Sequence, residues 1–297
     1  MRIGYPCINL ALKRSASRTF RLASYSDERV ISTIDSNLDT LEAYLAWNAE
    51  HDIRFFRLSS GTIPLASHPI MTFDWQTTFA DRLREIGKTI QGQGTRVNAH
   101  PGQYTLINSN RSEVVTASIG ELVYHAELLD LMGLDTTNKI QIHVGGVYGD
   151  KPAAIRRFID TWRGLPDIVQ RRLVIENDER HYSMADTLAI HEKTGIPILF
   201  DTFHHSIRNN GESIEDALDL VVRTWDGHGP PMVDYSSQDS SKQLGAHTTS
   251  IDLDDFAEVL PLFVRHDADV MLEIKDKEAS ALRAIAFANP TLAQQPA

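Results

Sequence analysis

What most constrains this chain is an alternation. Eight short apolar runs recur along it, each entered from polar or turn residues and most followed by a helical pattern: Arg2 to Tyr5, Arg54 to Leu58, Arg96 to Ala99, Lys139 to Val144, Arg172 to Glu176, Ile198 to Asp201, Met232 to Tyr235, and Val270 to Ile274. Runs of this kind read as strands. Between the third and fourth, Val115, Ile119, Leu122, Ala126 and Leu129 repeat at helical spacing and the pattern stops at Gly133, a good C-terminal breaker. Further helices are expected after Ser183, Ser213 and Asp252, each followed three positions on by Asp186, Asp216 or Asp255, which supply acceptors for the unpaired amides of a first turn. Eight βα units in 297 residues, with no Gly/Ser/Pro linker and no change of composition between the halves, predict a single (β/α)8 TIM barrel over residues 1–289, followed by a flexible tail at 290–297. A doubly wound sheet is the alternative architecture.

Composition narrows the choice of compartment and partner. With 42% hydrophobic residues the chain can bury a large core, and its one cysteine, Cys7, excludes an internal disulfide framework and a Cys-rich zinc cluster. No apolar run approaches the ~18 residues of a spanning helix, and no secretory segment follows Met1, so a cytoplasmic protein is expected. Lys and Arg number 29 against 40 Asp and Glu, a formal net charge of −11, which argues against a whole-surface polyanion binder. Any nucleic-acid site must be local or built on bound cations.

Polar residues at the C-terminal ends of parallel strands are informative, because most strand residues are apolar and barrel active sites sit on that face. From the third run to the eighth these residues are His100, His143, Glu176, Asp201, Asp234 and Glu273, with His204 one helical turn past Asp201. Parity points them inward: Gln141 and His143 oppose Ile140 and Ile142, and Val174 and Glu176 oppose Leu173 and Ile175. No Lys or Arg stands among these end positions, and carboxylates and imidazoles crowded into a barrel mouth are costly unless cations fill it. The donor set, without thiolate, suits Mn²⁺ or Zn²⁺, two or three ions being held and a carboxylate such as Glu176 free to bridge two of them. His68 and His247 fall in loops after the second and seventh runs, near the mouth. His205 reads either as support for a ligand or as surface, and His51, His125, His181, His191, His228 and His266 as structural.

The words around these residues are Phe55-Phe56-Arg57-Leu58-Ser59-Ser60, Asn98-Ala99-His100-Pro101-Gly102-Gln103-Tyr104, Ile142-His143-Val144-Gly145-Gly146, Ile175-Glu176-Asn177-Asp178, Asp201-Thr202-Phe203-His204-His205, Asp234-Tyr235-Ser236-Ser237-Gln238, and Met271-Leu272-Glu273-Ile274-Lys275-Asp276-Lys277-Glu278. Together, and in order from Gly4-Tyr5-Pro6 to Leu282, they resemble the UV damage endonucleases. The resemblance implies a barrel similar to endonuclease IV, with divalent ions at its mouth, that cuts duplex DNA immediately 5′ to a UV photoproduct and leaves a 3′-hydroxyl and a 5′-phosphate. It implies that His100, His143, Glu176, Asp201, His204 and Glu273 bind metal, with His68, Asp234 and His247 at or near the cluster. The carboxylates of Glu176, Asp201 and Glu273 would serve catalysis through the ions. Gln103 and Tyr104 match a pair that probes the duplex at the lesion, and Tyr5 and Asn9 would lie near the damaged nucleotides. The partner is UV-damaged double-stranded DNA; no obligate protein partner is implied and a monomer is expected.

One position departs from the pattern. Two residues before Asp234 the family leads us to expect a Lys, in some members modified to carry a carboxylate, and this chain has Met232. A thioether is a poor ligand for Mn²⁺, so activity is expected to survive with altered metal affinity. Lys13, Arg14, Arg18 and Arg21, crowded into the first βα loop, offer phosphate contacts or a solvated loop. The rival readings are a metal-dependent sugar isomerase or abasic-site endonuclease on the same barrel, and a damage-binding module without catalysis.

Overall fold

The apolar runs become eight four-residue strands, each nearly or wholly buried, because a parallel barrel strand is covered by helices outside and by side chains within. The computed structural model describes residues 1–292. Its elements are β1 (Ile3–Pro6), α1 (Asp27–Glu50), β2 (Phe55–Leu58), α2 (Trp75–Gly92), β3 (Arg96–Ala99), α3 (Ser112–Leu131), β4 (Ile140–His143), α4 (Lys151–Arg163), α5 (Asp167–Gln170), β5 (Leu173–Glu176), α6 (Met184–Thr194), β6 (Ile198–Asp201), α7 (Thr202–Ile207), α8 (Ile214–Arg223), β7 (Met232–Tyr235), α9 (Leu253–Arg265), β8 (Asp269–Leu272) and α10 (Glu278–Leu292). The strands pair in chain order and close through β1 and β8, with Ile3 opposite Val270 and Gly4 opposite Met271. This is the expected TIM barrel, not a doubly wound sheet.

Boundaries shift by a residue or two. β8 ends at Leu272, yet the Glu273 amide still donates to Tyr235 O at 2.9 Å, so the carboxylate of Glu273 leaves the strand at a fixed height. α10 runs to Leu292, past the boundary expected at 289; the rest of the expected tail, residues 293–297, lies outside the described residues. The helix starts follow the chemistry expected of them. Ser183 and Asp186 cap α6 reciprocally, and Ser213 and Asp252 accept first-turn amides of α8 and α9.

Two glycines are required by space. A Cβ on Gly87, in α2, would stand 1.6 Å from the carbonyl oxygen of Met132, so only glycine lets α2 approach the end of α3. Gly145, just past β4, has φ +112°, and a Cβ there would meet Asn108 Oδ1 at 2.5 Å. At the floor of the barrel, opposite the mouth, Arg96 bonds Asp269 at 2.9 Å and Arg2 joins the same carboxylate at 3.0 Å. Lys139, fully buried beside them, donates to Arg171 O at 3.1 Å.

Candidate metal and nucleic-acid site

The inward residues at the strand ends meet at the mouth. Ligand atoms of His100, His143 and Glu176 lie within 4.8 Å of one another; so do those of Glu176, Asp201 and His204, and those of Asp201, Asp234 and Glu273. Glu176 is shared by the first two groups, and Asp201 by the second and third. Its Oε2 lies 3.6 Å from His100 Nε2 and 3.8 Å from His143 Nε2, and its Oε1 lies 3.2 Å from His204 Nδ1.

Local structure sets each of these side chains. The Oδ1 of Asp201 caps α7 by accepting the His204 amide at 2.7 Å, so the strand-end carboxylate itself positions the imidazole three residues on. His100 Nδ1 is 2.8 Å from Pro101 O and donates to that carbonyl, which fixes the ring with Nε2 toward Glu176. Asn177 ties the floor of the site by donating to Asp201 O at 2.9 Å and accepting from Asp201 N at 3.0 Å.

Electrostatically the mouth crowds buried carboxylates and imidazoles together. Burial would raise the Glu176 carboxyl, but the His143, His100 and His204 rings outweigh it and hold the group well below the usual carboxylate range. Burial lifts Asp201 to about 7, against the pull of His204 and with the repulsion of Glu176 and Glu273. His204 is pushed up to about 11: burial would lower it, but Asp201 and Glu176 overcome that effect. Two buried polar atoms, Asp201 Oδ2 and His143 Nδ1, have no hydrogen-bond partner among the described residues. Orphaned polar atoms, imidazole and carboxylate without thiolate, and a carboxylate shared by two groups all fit divalent ions.

The structure adds residues that the strand-end reading passes over. Arg57, inside β2, is buried and reaches across the mouth to Asp234 at 2.8 Å and to Glu273, drawing the Glu273 carboxyl down to about 2 despite its burial. The mouth therefore has a resident cation that the strand ends do not announce. Its signal in the sequence is a charge inside an otherwise apolar four-residue strand, Phe55-Phe56-Arg57-Leu58. Gln141 is equally central, donating to Glu176 at 2.5 Å and to Asp234 at 2.7 Å. Glu179 Oε2 lies 3.5 Å from His204 Nε2.

Of the remaining expectations, His247 does join the rim: its ring centre is 6.3 Å from that of His204, and its Nδ1 is 2.6 Å from Glu273 O. His68 does not join the grouped ligands; it is exposed, with Nδ1 accepting from Ile70 N at 3.0 Å. His205 turns away toward Glu212 O at 3.2 Å and is a buried supporting residue, not surface. Met232 is fully buried in β7.

Gln103 and Tyr104 stand on the rim after β3. Tyr104 is 80% exposed, although its turn is pinned by Thr105 N to Gly102 O at 2.9 Å and by Leu106 N to Ser118 Oγ at 2.8 Å. Tyr5 and Asn9, expected near the damaged nucleotides, are instead fully buried. The Tyr5 hydroxyl donates to Asn48 at 2.7 Å and accepts from Asn9 at 2.9 Å, so the pair anchors the first loop to α1 and is spent on the core. That loop packs inward through Leu12 and Phe20 and leaves Lys13, Arg14, Arg18 and Arg21 at the surface, with no ion pair to a carboxylate among the described residues. A cavity of about 610 Å³ opens beside the cluster, lined by Arg57, His100, His247 and Glu273 and by Lys242 and Lys277. No described helix is long and apolar enough to cross a membrane.

The comparisons with known proteins agree with this geometry. The family model described as UV-endonuclease UvdE matches residues 1–293. The UV DNA damage endonuclease of Clostridium perfringens (strain 13 / Type A) is 40% identical over 288 residues, covering 96% of this chain and 70% of the relative. Among solved structures, SacUVDE superimposes with a TM-score of 0.93 at 47% identity, covering 98% of this chain and 99% of that one. Endonuclease IV from Thermus thermophilus shares the fold, with a TM-score of 0.62 at 14% identity over 98% of this chain and 100% of its own. With the match running through the whole barrel whose mouth gathers the strand-end imidazoles and carboxylates, the chain belongs to the UV-endonuclease family.

Proposed function

We propose that this chain, a DNA-repair endonuclease for UV damage by family, hydrolyses the phosphodiester immediately 5′ to a photoproduct in duplex DNA and leaves a 3′-hydroxyl and a 5′-phosphate. The observation that carries the reading is the shared Glu176, which joins His100 and His143 to Asp201 and His204 next to a cavity that His100 and Glu273 line. His100, His143, Glu176, Asp201 and His204 would hold two divalent ions, Mn²⁺ or Zn²⁺, with Glu273 and His247 at their edge. Such ions supply a nucleophile at neutral pH, by lowering the pKa of water toward ~7, and counter-charge for the leaving oxygen. His100, through its bond to Pro101 O, is held with Nε2 directed at the shared Glu176. Asn177 and the α7 cap hold Asp201 and His204 in place without a ligand present.

Binding is local, as an acidic chain requires. The exposed cations of the first loop and Lys242 and Lys277 at the cavity would take phosphates, while Tyr104 fills the gap left when a damaged dinucleotide rotates outward and Gln103 addresses the bases left behind. Photoproducts already weaken pairing and stacking, which lowers the cost of that rotation. The enzyme would act as a monomer in the cytoplasm, on chromosomal DNA.

The test is nicking of an end-labelled duplex carrying one defined pyrimidine dimer, beside its undamaged twin and an abasic duplex, with Mn²⁺ and with EDTA. A metal-dependent cut immediately 5′ to the dimer is expected. An intact dimer strand under all conditions would reject the reading in favour of a damage-binding module.

A further inference from the structure

The third group of ligand atoms, Asp201, Asp234 and Glu273, differs from the other two in being bridged by a guanidinium. Arg57 Nη2 lies 2.8 Å from both oxygens of Asp234, and Nη1 donates to Glu273 Oε1. The guanidinium is 3% exposed and is oriented further by Nη2 to Gln141 Oε1 at 2.7 Å. Gln141 Oε1 also accepts from Asn98 at 3.2 Å, which fixes the amide so that its Nε2 faces Asp234 Oδ2 at 2.7 Å. Both oxygens of Asp234 are therefore engaged by resident donors, and Oδ2 twice.

A guanidinium does not shed its proton in a protein, so this positive charge is present at every working pH and repels any ion brought beside it. With two divalent ions at the groups that share Glu176, the two ions and Arg57 already outweigh the four grouped carboxylates. A third ion would add charge where Asp234 has no unengaged oxygen to receive it. Met232, on the same face of β7 two residues before Asp234, offers a thioether and no oxygen ligand to make up the difference.

We infer that Arg57 occupies the place of a third ion: the mouth is a two-ion centre completed by a side-chain cation, and Asp234 is the counter-ion of Arg57 and not a metal ligand. The inference rests on the mouth being a metal centre at all, and the experiment separates the two. The purified full chain is loaded with excess Mn²⁺, freed of loose metal by gel filtration, and its ions per chain are counted by plasma mass spectrometry for the parent, Asp234→Asn and Arg57→Gln. Two ions in the parent and two in Asp234→Asn are expected, with a third taken up when Arg57→Gln removes the guanidinium. Should Arg57→Gln fail to fold, the first two counts decide. Three ions in the parent, loss of one in Asp234→Asn, or only two in a folded Arg57→Gln would overturn the inference while leaving the metal centre standing. No ion in the parent would overturn both.

Discussion

Tyr104 and Tyr5, both expected near the lesion, have opposite fates. Tyr104 is 80% exposed on a pinned turn, so Tyr104→Ala should change stability by no more than about 0.5 kcal/mol. If it stacks where a base has left, its removal should weaken binding to a dimer-containing duplex by about 1–3 kcal/mol, roughly 5- to 150-fold, with metal content unchanged. A fluorescence-anisotropy titration on damaged and undamaged duplexes reads the first effect, and metal analysis the second. Tyr5 is the converse. Its hydroxyl joins Asn48 and Asn9 in the core, and Tyr5→Phe leaves both without that partner, so about 1–3 kcal/mol of unfolding free energy should be lost in urea titration with lesion discrimination intact. The exposure of Tyr104 is not readable from the chain, since a loop has no periodicity to say which side chain faces inward, whereas Tyr5 lies in β1, all of whose residues are buried. Strand residues do have a periodicity, which is why the inward placement of His143 and Glu176 is legible while the burial of Asn9 and the exposure of His68 are not.

At the level of elements, the eight runs are legible because barrel strands are covered on both sides and stand out as apolar stretches against amphipathic helices. Their ends move by a residue or two, where a hydrogen bond such as Glu273 N to Tyr235 O continues pairing beyond the strand proper. Arg57 holds the third position of β2 as Asp234 does of β7, but a guanidinium is no ligand candidate, and its long side chain spans the barrel interior to β7 and the residue after β8. Helix packing makes its own prediction. In an isolated helix Gly87→Ala would gain up to about 1 kcal/mol of propensity. In α2 the added methyl would stand 1.6 Å from Met132 O, and overpacking of this kind costs about 1–3 kcal/mol or more, so net destabilisation is expected in thermal unfolding.

For the molecule as a whole, the two ends of the barrel carry opposite electrostatic problems. At the floor, burial and then the nearby Arg96 and Arg172 guanidinium groups push the Lys139 ammonium down to about 8. An unfolded chain holds that proton up to about 10.4, so between pH 8 and that value it binds more protons than the folded chain, and stability rises with pH through this window. The rise attributable to Lys139 is at most about 3 kcal/mol, and Lys139→Met should remove it and stabilise the protein below pH 8. Urea midpoints for both proteins at pH 7.5 and pH 10 measure the difference. At the mouth, the grouped side chains come from β4 to β7, from His100 and Glu273 just past β3 and β8, and from His204 in α7, and the pairing of neighbouring strands brings them together. An unfolded chain has no such site. Any ion taken up there would thus be bound by the folded form alone and would act by mass action as a latch on folding, raising the midpoint of unfolding with the logarithm of its concentration.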